Sequence, residues 1–257
     1  MIHSAPPPSE VFSICRPVRP LGLAVDGPVS EDLADQCAAL GLLIGTPDAV
    51  HADERLLSGI ASDDSIRRGI GGDFSGFVEL GDEGLLGVGL RCFETVRSGG
   101  LAISLKTRSA YALPTLDIVC DALRDCMGLA PGERADLIGI CLGEAISNAV
   151  MHGNLEVPAH LRVNSEGFQR FRQIMHERLN DPVLACRRVE INILPRGHDF
   201  IAVMVSDQGA GFNFAEHLNH TVDSEAKSGR GLGLISRICA SLLAEDGGRT
   251  LTMTFAR

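Results

Sequence analysis

Glu144 and Asn148 stand four residues apart in the run Gly143-Glu144-Ala145-Ile146-Ser147-Asn148-Ala149-Val150-Met151-His152-Gly153-Asn154. Around them Leu137, Ile138, Cys141, Leu142, Ala145 and Ala149 recur at three- and four-residue spacing, which predicts a helix reaching His152. Positions i and i+4 share one face of a helix. A carboxylate and a carboxamide on an apolar helix are costly there without partners. Bound magnesium and phosphate would be such partners.

Two later motifs add to this. The apolar run 200–205 leads into Ser206-Asp207-Gln208-Gly209-Ala210-Gly211-Phe212, so a carboxylate sits where a buried strand stops and glycines let the chain turn. That geometry can present Asp207 to the exocyclic amine of adenine, or simply let it bond its own backbone in a turn. Further on, Ser228-Gly229-Arg230-Gly231-Leu232-Gly233-Leu234 precedes an apolar helix. Free amides at a helix N-terminus beside glycines attract phosphate; the bland alternative is a glycine-rich helix start with no ligand. A dinucleotide fingerprint is a poor reading of these glycines, because it needs a preceding strand early in a βαβ unit. Here the motif comes late, with one strand predicted to follow.

The elements that must position these residues fall into two regions, 1–98 and 99–257. In the first, Pro6 to Pro8 predict an extended start, 21–25 a strand, and Ser30-Glu31-Asp32 the cap of a helix to about Leu40. The glycine-rich stretch 69–89 predicts short strands, at 77–80 and 85–89, and turns. A degenerate phosphoacceptor receiver is one reading of Leu23-Ala24-Val25-Asp26, against which stands the lack of any lysine before Lys106. In the second region, 101–106 reads as a strand beside the sheet edge, 112–127 and 131–152 as helices, and 165–179 as a surface helix within a charged stretch. A hairpin at 189–194 and 200–205 follows, then a helix over 232–243, a turn at Gly247-Gly248 and a closing strand at 250–255.

Composition limits the alternatives. With 45% apolar residues the chain has ample material for a core, and its net charge of −10 opposes broad binding to a phosphate backbone. The eight cysteines stand singly with no C-x-x-C pair, as reduced structural residues would. Apolar runs are too short to span a bilayer and the start lacks a signal pattern, so the expectation is a cytoplasmic protein with no membrane or direct nucleic-acid contact.

The order of the motifs, Glu-x-x-x-Asn on a helix, then a strand-terminal Asp-x-Gly-x-Gly, then Gly-x-Gly-x-Gly before a helix, resembles the Bergerat nucleotide-binding fold of the GHKL superfamily. The likeness covers about 99–257. Within that superfamily the stretch from Glu144 to Gly153, and the charged insertion closing at Arg187-Arg188-Val189, are most similar to bacterial anti-sigma-factor serine/threonine kinases. The resemblance implies an α+β fold, a two-layer sandwich with a mixed, mainly antiparallel sheet covered by helices; residues 1–98, outside it, read as an additional α/β region for sensing or interaction. It implies ATP and Mg2+ as ligands, with Asn148 on the metal, Glu144 as the catalytic base, and Asp207 on adenine in a pocket shaped by Gly209 and Gly211. Gly229, Arg230, Gly231, Leu232 and Gly233 would line the phosphates, under a lid spanning 212–228. Thr250 departs from the family pattern, since Arg249 intervenes between it and Gly248, and its contact with nucleotide stays open. The implied partner is a STAS-domain anti-anti-sigma-type protein, with capture of a sigma factor through the same surface; homodimerisation is left open. Two further readings stand: a nucleotide-gated binding module without phosphotransfer, and the catalytic part of a histidine kinase, which would need an additional phosphoacceptor helix.

Overall fold

A computed structural model describes residues 20–52, 54–162, 165–214 and 230–257. The proline-rich start and Cys15 lie outside the described residues. Five parallel strands form the first half of the sheet: β1 (Leu21–Val25), β2 (Leu42–Gly45), β3 (Glu54–Gly59), β4 (Gly76–Glu79) and β5 (Leu101–Lys106), in the spatial order β2-β1-β3-β4-β5. This is the order of a doubly wound, flavodoxin-like sheet. Helices α1 (Glu31–Ala39), α2 (Asp63–Ile70) and α3 (Leu90–Arg97) connect the strands. Ser30 caps α1, its hydroxyl accepting from Leu33 N at 3.2 Å.

The sheet continues without a break. β5 pairs antiparallel with β6 (Arg188–Arg196), which forms a hairpin with β7 (Phe200–Ser206); β9 (Thr250–Ala256) and the edge strand β8 (Ser241–Glu245) complete nine strands. The connection from β5 to β6 holds α4 (Thr107–Ala112), α5 (Thr115–Asp125), α6 (Glu133–Asn148), α7 (Ser165–Leu179) and α8 (Pro182–Cys186); α9 (Arg230–Ile238) precedes β8. The result is an α+β sandwich with a mixed sheet, its C-terminal part antiparallel.

One hydrophobic core runs the length of the helical face, from Ile66 and Ile70 of α2 through Ile118 of α5 and Cys141 and Leu142 of α6 to Ile235 of α9. A second core lies on the opposite face, where Leu33 and Cys37 of α1 and Cys92, Phe93 and Val96 of α3 cover strands of the N-terminal half. The seven described cysteines are all free. Among the described residues no helix is long and apolar enough to cross a membrane.

Four expectations are corrected. β5 is central rather than beside the edge, which explains why five of its six residues are buried. Residues 85–89 form turns ahead of α3, and the helix read over 112–127 begins only at Thr115, because Ala112 ends α4 and Pro114 separates the two. The helix read over 232–243 stops at Ile238, so two strands rather than one follow the glycine motif. Lys106 itself ends the fifth parallel strand, and β3 ends in Ser58-Gly59.

Candidate functional site

Helix α6 begins after Gly132, packs Ile138, Cys141, Leu142, Ala145 and Ile146 into the core, and leaves Glu144 and Asn148 half-buried at its C-terminal end. The Asn148 amide donates to Glu144 Oε1 at 3.4 Å, a long contact within one face. No cation pairs with Glu144 among the described residues, and Asn148 Oδ1 accepts no hydrogen bond from them. The first turn of α9 lies against this pair so closely that a Cβ on Gly231 would collide with the Glu144 carboxylate. The Glu144 carboxylate therefore packs against the first described turn of α9, with Asn148 one helical turn away on α6.

Beyond Asn148 the helix winds on as a wider π-helical turn over Ala149–Asn154, with Leu155 N donating five residues back to Val150 O at 3.0 Å. This unwinding brings Gly153 flat against the loop after β7. A Cβ there would lie 2.6 Å from Asp207 Oδ1, and one on Gly209 would fall 3.0 Å from the Gly153 Cα. Only glycine at 153 and 209 permits that approach.

Asp207 is thus fixed between α6 and the sheet. Its carboxylate accepts from Gly209 N at 2.8 Å, and its own N–H donates to Arg249 O at 2.9 Å. Burial pushes its pKa up to about 6, against the pull of the Gly209 amide and of Arg249 and Arg187. Gly211 packs against the β8–β9 turn, where Phe212 N donates to Gly247 O at 3.1 Å. Thr250 opens β9 opposite Ser206; its hydroxyl meets Ser206 Oγ at 3.0 Å and Asp246 Oδ2 at 2.9 Å.

The structure brings together Glu144, Asn148, Gly231 and the start of α9, with Leu232 packed on the core and Gly233 in the first turns of α9. It brings Asp207 and Gly209 against the π-helical turn that extends the C-terminal end of α6, just beyond Asn148. Gly229, the side chain of Arg230 and residues 215–228 of the expected lid lie outside the described residues. His152 donates from Nδ1 to Val157 O at 2.5 Å, a bond that ties the helix end to the chain beyond it.

Sequence reasoning passed over Asn154, which is fully buried. Its amide donates to Thr107 Oγ1 at 2.8 Å and to Arg188 O at 2.9 Å, while its Oδ1 accepts from Gln208 N at 2.7 Å. One side chain joins the end of α6 to α4, to β6 and to the residue after Asp207. The only signal was an asparagine directly after the glycine that closes an amphipathic helix. Asn154→Ala would remove three hydrogen bonds centred on a fully buried side chain and is expected to cost about 3 kcal/mol in urea unfolding.

Residues 110–255, more than half of the chain, match the family of histidine kinase-like ATPase domains. The chain belongs to that family. Domains of this family bind ATP, typically with Mg2+, and the matched stretch contains the whole arrangement around Glu144, Asn148, Asp207 and α9. No curated protein matches the chain. The residues of this ATPase domain fit such a ligand. Asn148 Oδ1 supplies a neutral oxygen of the kind Mg2+ takes when it keeps several waters and is held mainly through phosphate. Among the described residues no three His, Cys, Asp or Glu side chains gather into a metal cage, and a phosphate-held Mg2+ requires none.

Proposed function

We propose that this chain is an ATP-dependent protein serine/threonine kinase of anti-sigma-factor type. Its substrate would be a hydroxyl of a small STAS-domain antagonist, and it would hold a sigma factor through the same surface. Such a kinase works in the cytoplasm, without contact to nucleic acid or membrane.

The observation that carries the reading is the half-buried Glu144 carboxylate, free of any described cation, at the N-terminus of α9 and one helical turn from Asn148. There it would take the proton of the substrate hydroxyl as that oxygen bonds to the γ-phosphorus and the bridging oxygen leaves with ADP. Asn148 would hold Mg2+, which when bound neutralises the charge of the phosphates. Asp207 would accept from the adenine amine, in a pocket shaped by Gly209 and Gly211. The charged segment after Asn154, folded as α7 and α8, gives further support because stand-alone kinases of this group resemble it there.

The test is incubation of the purified chain with γ-labelled MgATP and a panel of STAS-domain proteins. Acid-stable label on serine or threonine of one of them is the expected result. Acid-labile label on a histidine would favour the histidine-kinase reading. Tight ATP-dependent capture of a STAS protein without transfer would overturn the kinase in favour of a nucleotide-gated binding module.

A further inference from the structure

Residues 84–91, the end of the β4–α3 loop and the first two residues of α3, lie before the stretch that matches the ATPase family, yet they are bonded to both flanks of Asp207. On one flank is Arg188, the first residue of β6, 3% exposed. Its guanidinium donates to the carbonyls of Glu79 at 3.0 Å, Leu86 at 3.3 Å and Gly84 at 3.4 Å, and to Ser104 Oγ at 3.3 Å. Two residues on, buried Glu190 accepts from Gly89 N at 2.8 Å and from Ser104 Oγ at 3.0 Å. Gln208, which follows Asp207, closes the connection: its Oε1 accepts from Arg188 N and its Nε2 donates to Gly87 O, each at 2.8 Å. On the other flank Arg91 reaches Glu245 at 3.5 Å and Asp246 at 3.4 Å, and Asp246 accepts from Thr250. These last pairs are half-exposed and long, so they contribute little. The Gln208 link is short and lies beside the candidate adenine carboxylate.

We infer that Gln208 is a positioning residue that couples nucleotide occupancy at Asp207 to the 84–91 loop of the N-terminal unit. The inference rests on the ATP-binding reading above. Both ends of the Gln208 amide are engaged, the oxygen by Arg188 N and the nitrogen by Gly87 O, so its orientation is set by these two partners. It acts through the backbone of its neighbour, and whatever displaces the loop displaces the segment 207–209. Coupling of this kind is reciprocal: nucleotide tightens the loop by the same factor that the loop tightens nucleotide. The N-terminal α/β unit thereby gains a route to regulate the ATPase domain that needs no residue within the phosphate site.

The test uses the full chain, with MgADP as probe, calorimetry for affinity and hydrogen exchange for the loop. Gln208→Glu keeps the side chain's shape and the acceptor for Arg188 N but sets a carboxylate oxygen against the Gly87 carbonyl. In the wild type, saturating MgADP is expected to slow exchange across 84–91 by at least about tenfold, and Gln208→Glu to remove that protection while weakening MgADP about 5- to 10-fold. A merely structural role would leave the nucleotide-dependent part of the exchange intact. The inference is overturned if MgADP binds the wild type without altering exchange at 84–91, or if Gln208→Glu binds and protects like the wild type. Should the variant fail to fold, the wild-type exchange decides alone. If the wild type takes up no nucleotide, the ATP-binding reading itself fails, which is a separate outcome.

Discussion

Glu144→Gln is expected to lower phosphoryl transfer by on the order of 10²- to 10⁴-fold, the range a positioned general base supplies, while leaving MgATP affinity within a few-fold. Glutamine keeps an oxygen for the Asn148 amide, 3.4 Å away in the wild type, and keeps the volume against which Gly231 packs. What it loses is the lone pair that accepts a proton and the negative charge at the start of α9. Initial rates of label transfer, set beside calorimetric affinity, measure the two effects separately. Transfer persisting at the wild-type rate would remove Glu144 from its assigned role.

Asp207→Asn should act on binding instead. The amide can still accept from Gly209 N, but its NH2 group opposes the adenine amine, donor against donor, and a loss of at least about 100-fold in MgATP affinity is expected. The free protein should move the other way. Because the folded pKa of Asp207 is raised to about 6 from 3.8, its contribution to stability is present in full below pH 3.8 and is lost as pH rises through about 6. At pH 7.5 the ionised carboxylate therefore costs the fold up to about 3 kcal/mol, of which asparagine recovers a part. Thermal melts of the nucleotide-free variant should lie above the wild type at pH 7.5 and converge with it near pH 4. Adenine recognition needs the ionised form, so wild-type affinity should fall about tenfold between pH 7.5 and pH 5 as the carboxyl takes its proton. An affinity flat across that range would assign adenine recognition to another group.

The helix with Glu144 and Asn148, the hairpin that ends at Asp207 and the surface helix Ser165–Leu179 were legible because each has one dominant periodicity. The edge strand β8 was not. Leu242 and Leu243 extend the helical pattern of α9, no glycine or proline marks the break near Cys239, and strand character comes only from pairing with β9. β6 misleads in another way. Its alternation Val189, Glu190, Ile191, Asn192, Ile193 reads as a strand with one wet face, yet Glu190 and Asn192 are both buried, and α3 packs on that strand. A helix from a different part of the chain leaves no trace in the strand it covers. Arg188 and Gln208 were invisible for the same reason, since their partners lie about a hundred residues earlier. Among the candidate residues, spacing along one element brought Glu144 and Asn148 together, whereas the approach of Gly153 to Asp207 depends on a helix that unwinds at its end.

The double pairing of β5 bears on how this protein can be cut. Truncation at residue 98, where composition changes, would strip β4 from one side of β5 and α3 from the sheet behind it. The fragment would begin with a bare row of amides and carbonyls along an apolar strand, next to Glu190 and Arg188 deprived of their partners. Such a sticky edge seeks another chain. The half of this protein that matches the ATPase family is therefore better handled as part of the whole polypeptide, since β5 pairs with a strand from each half.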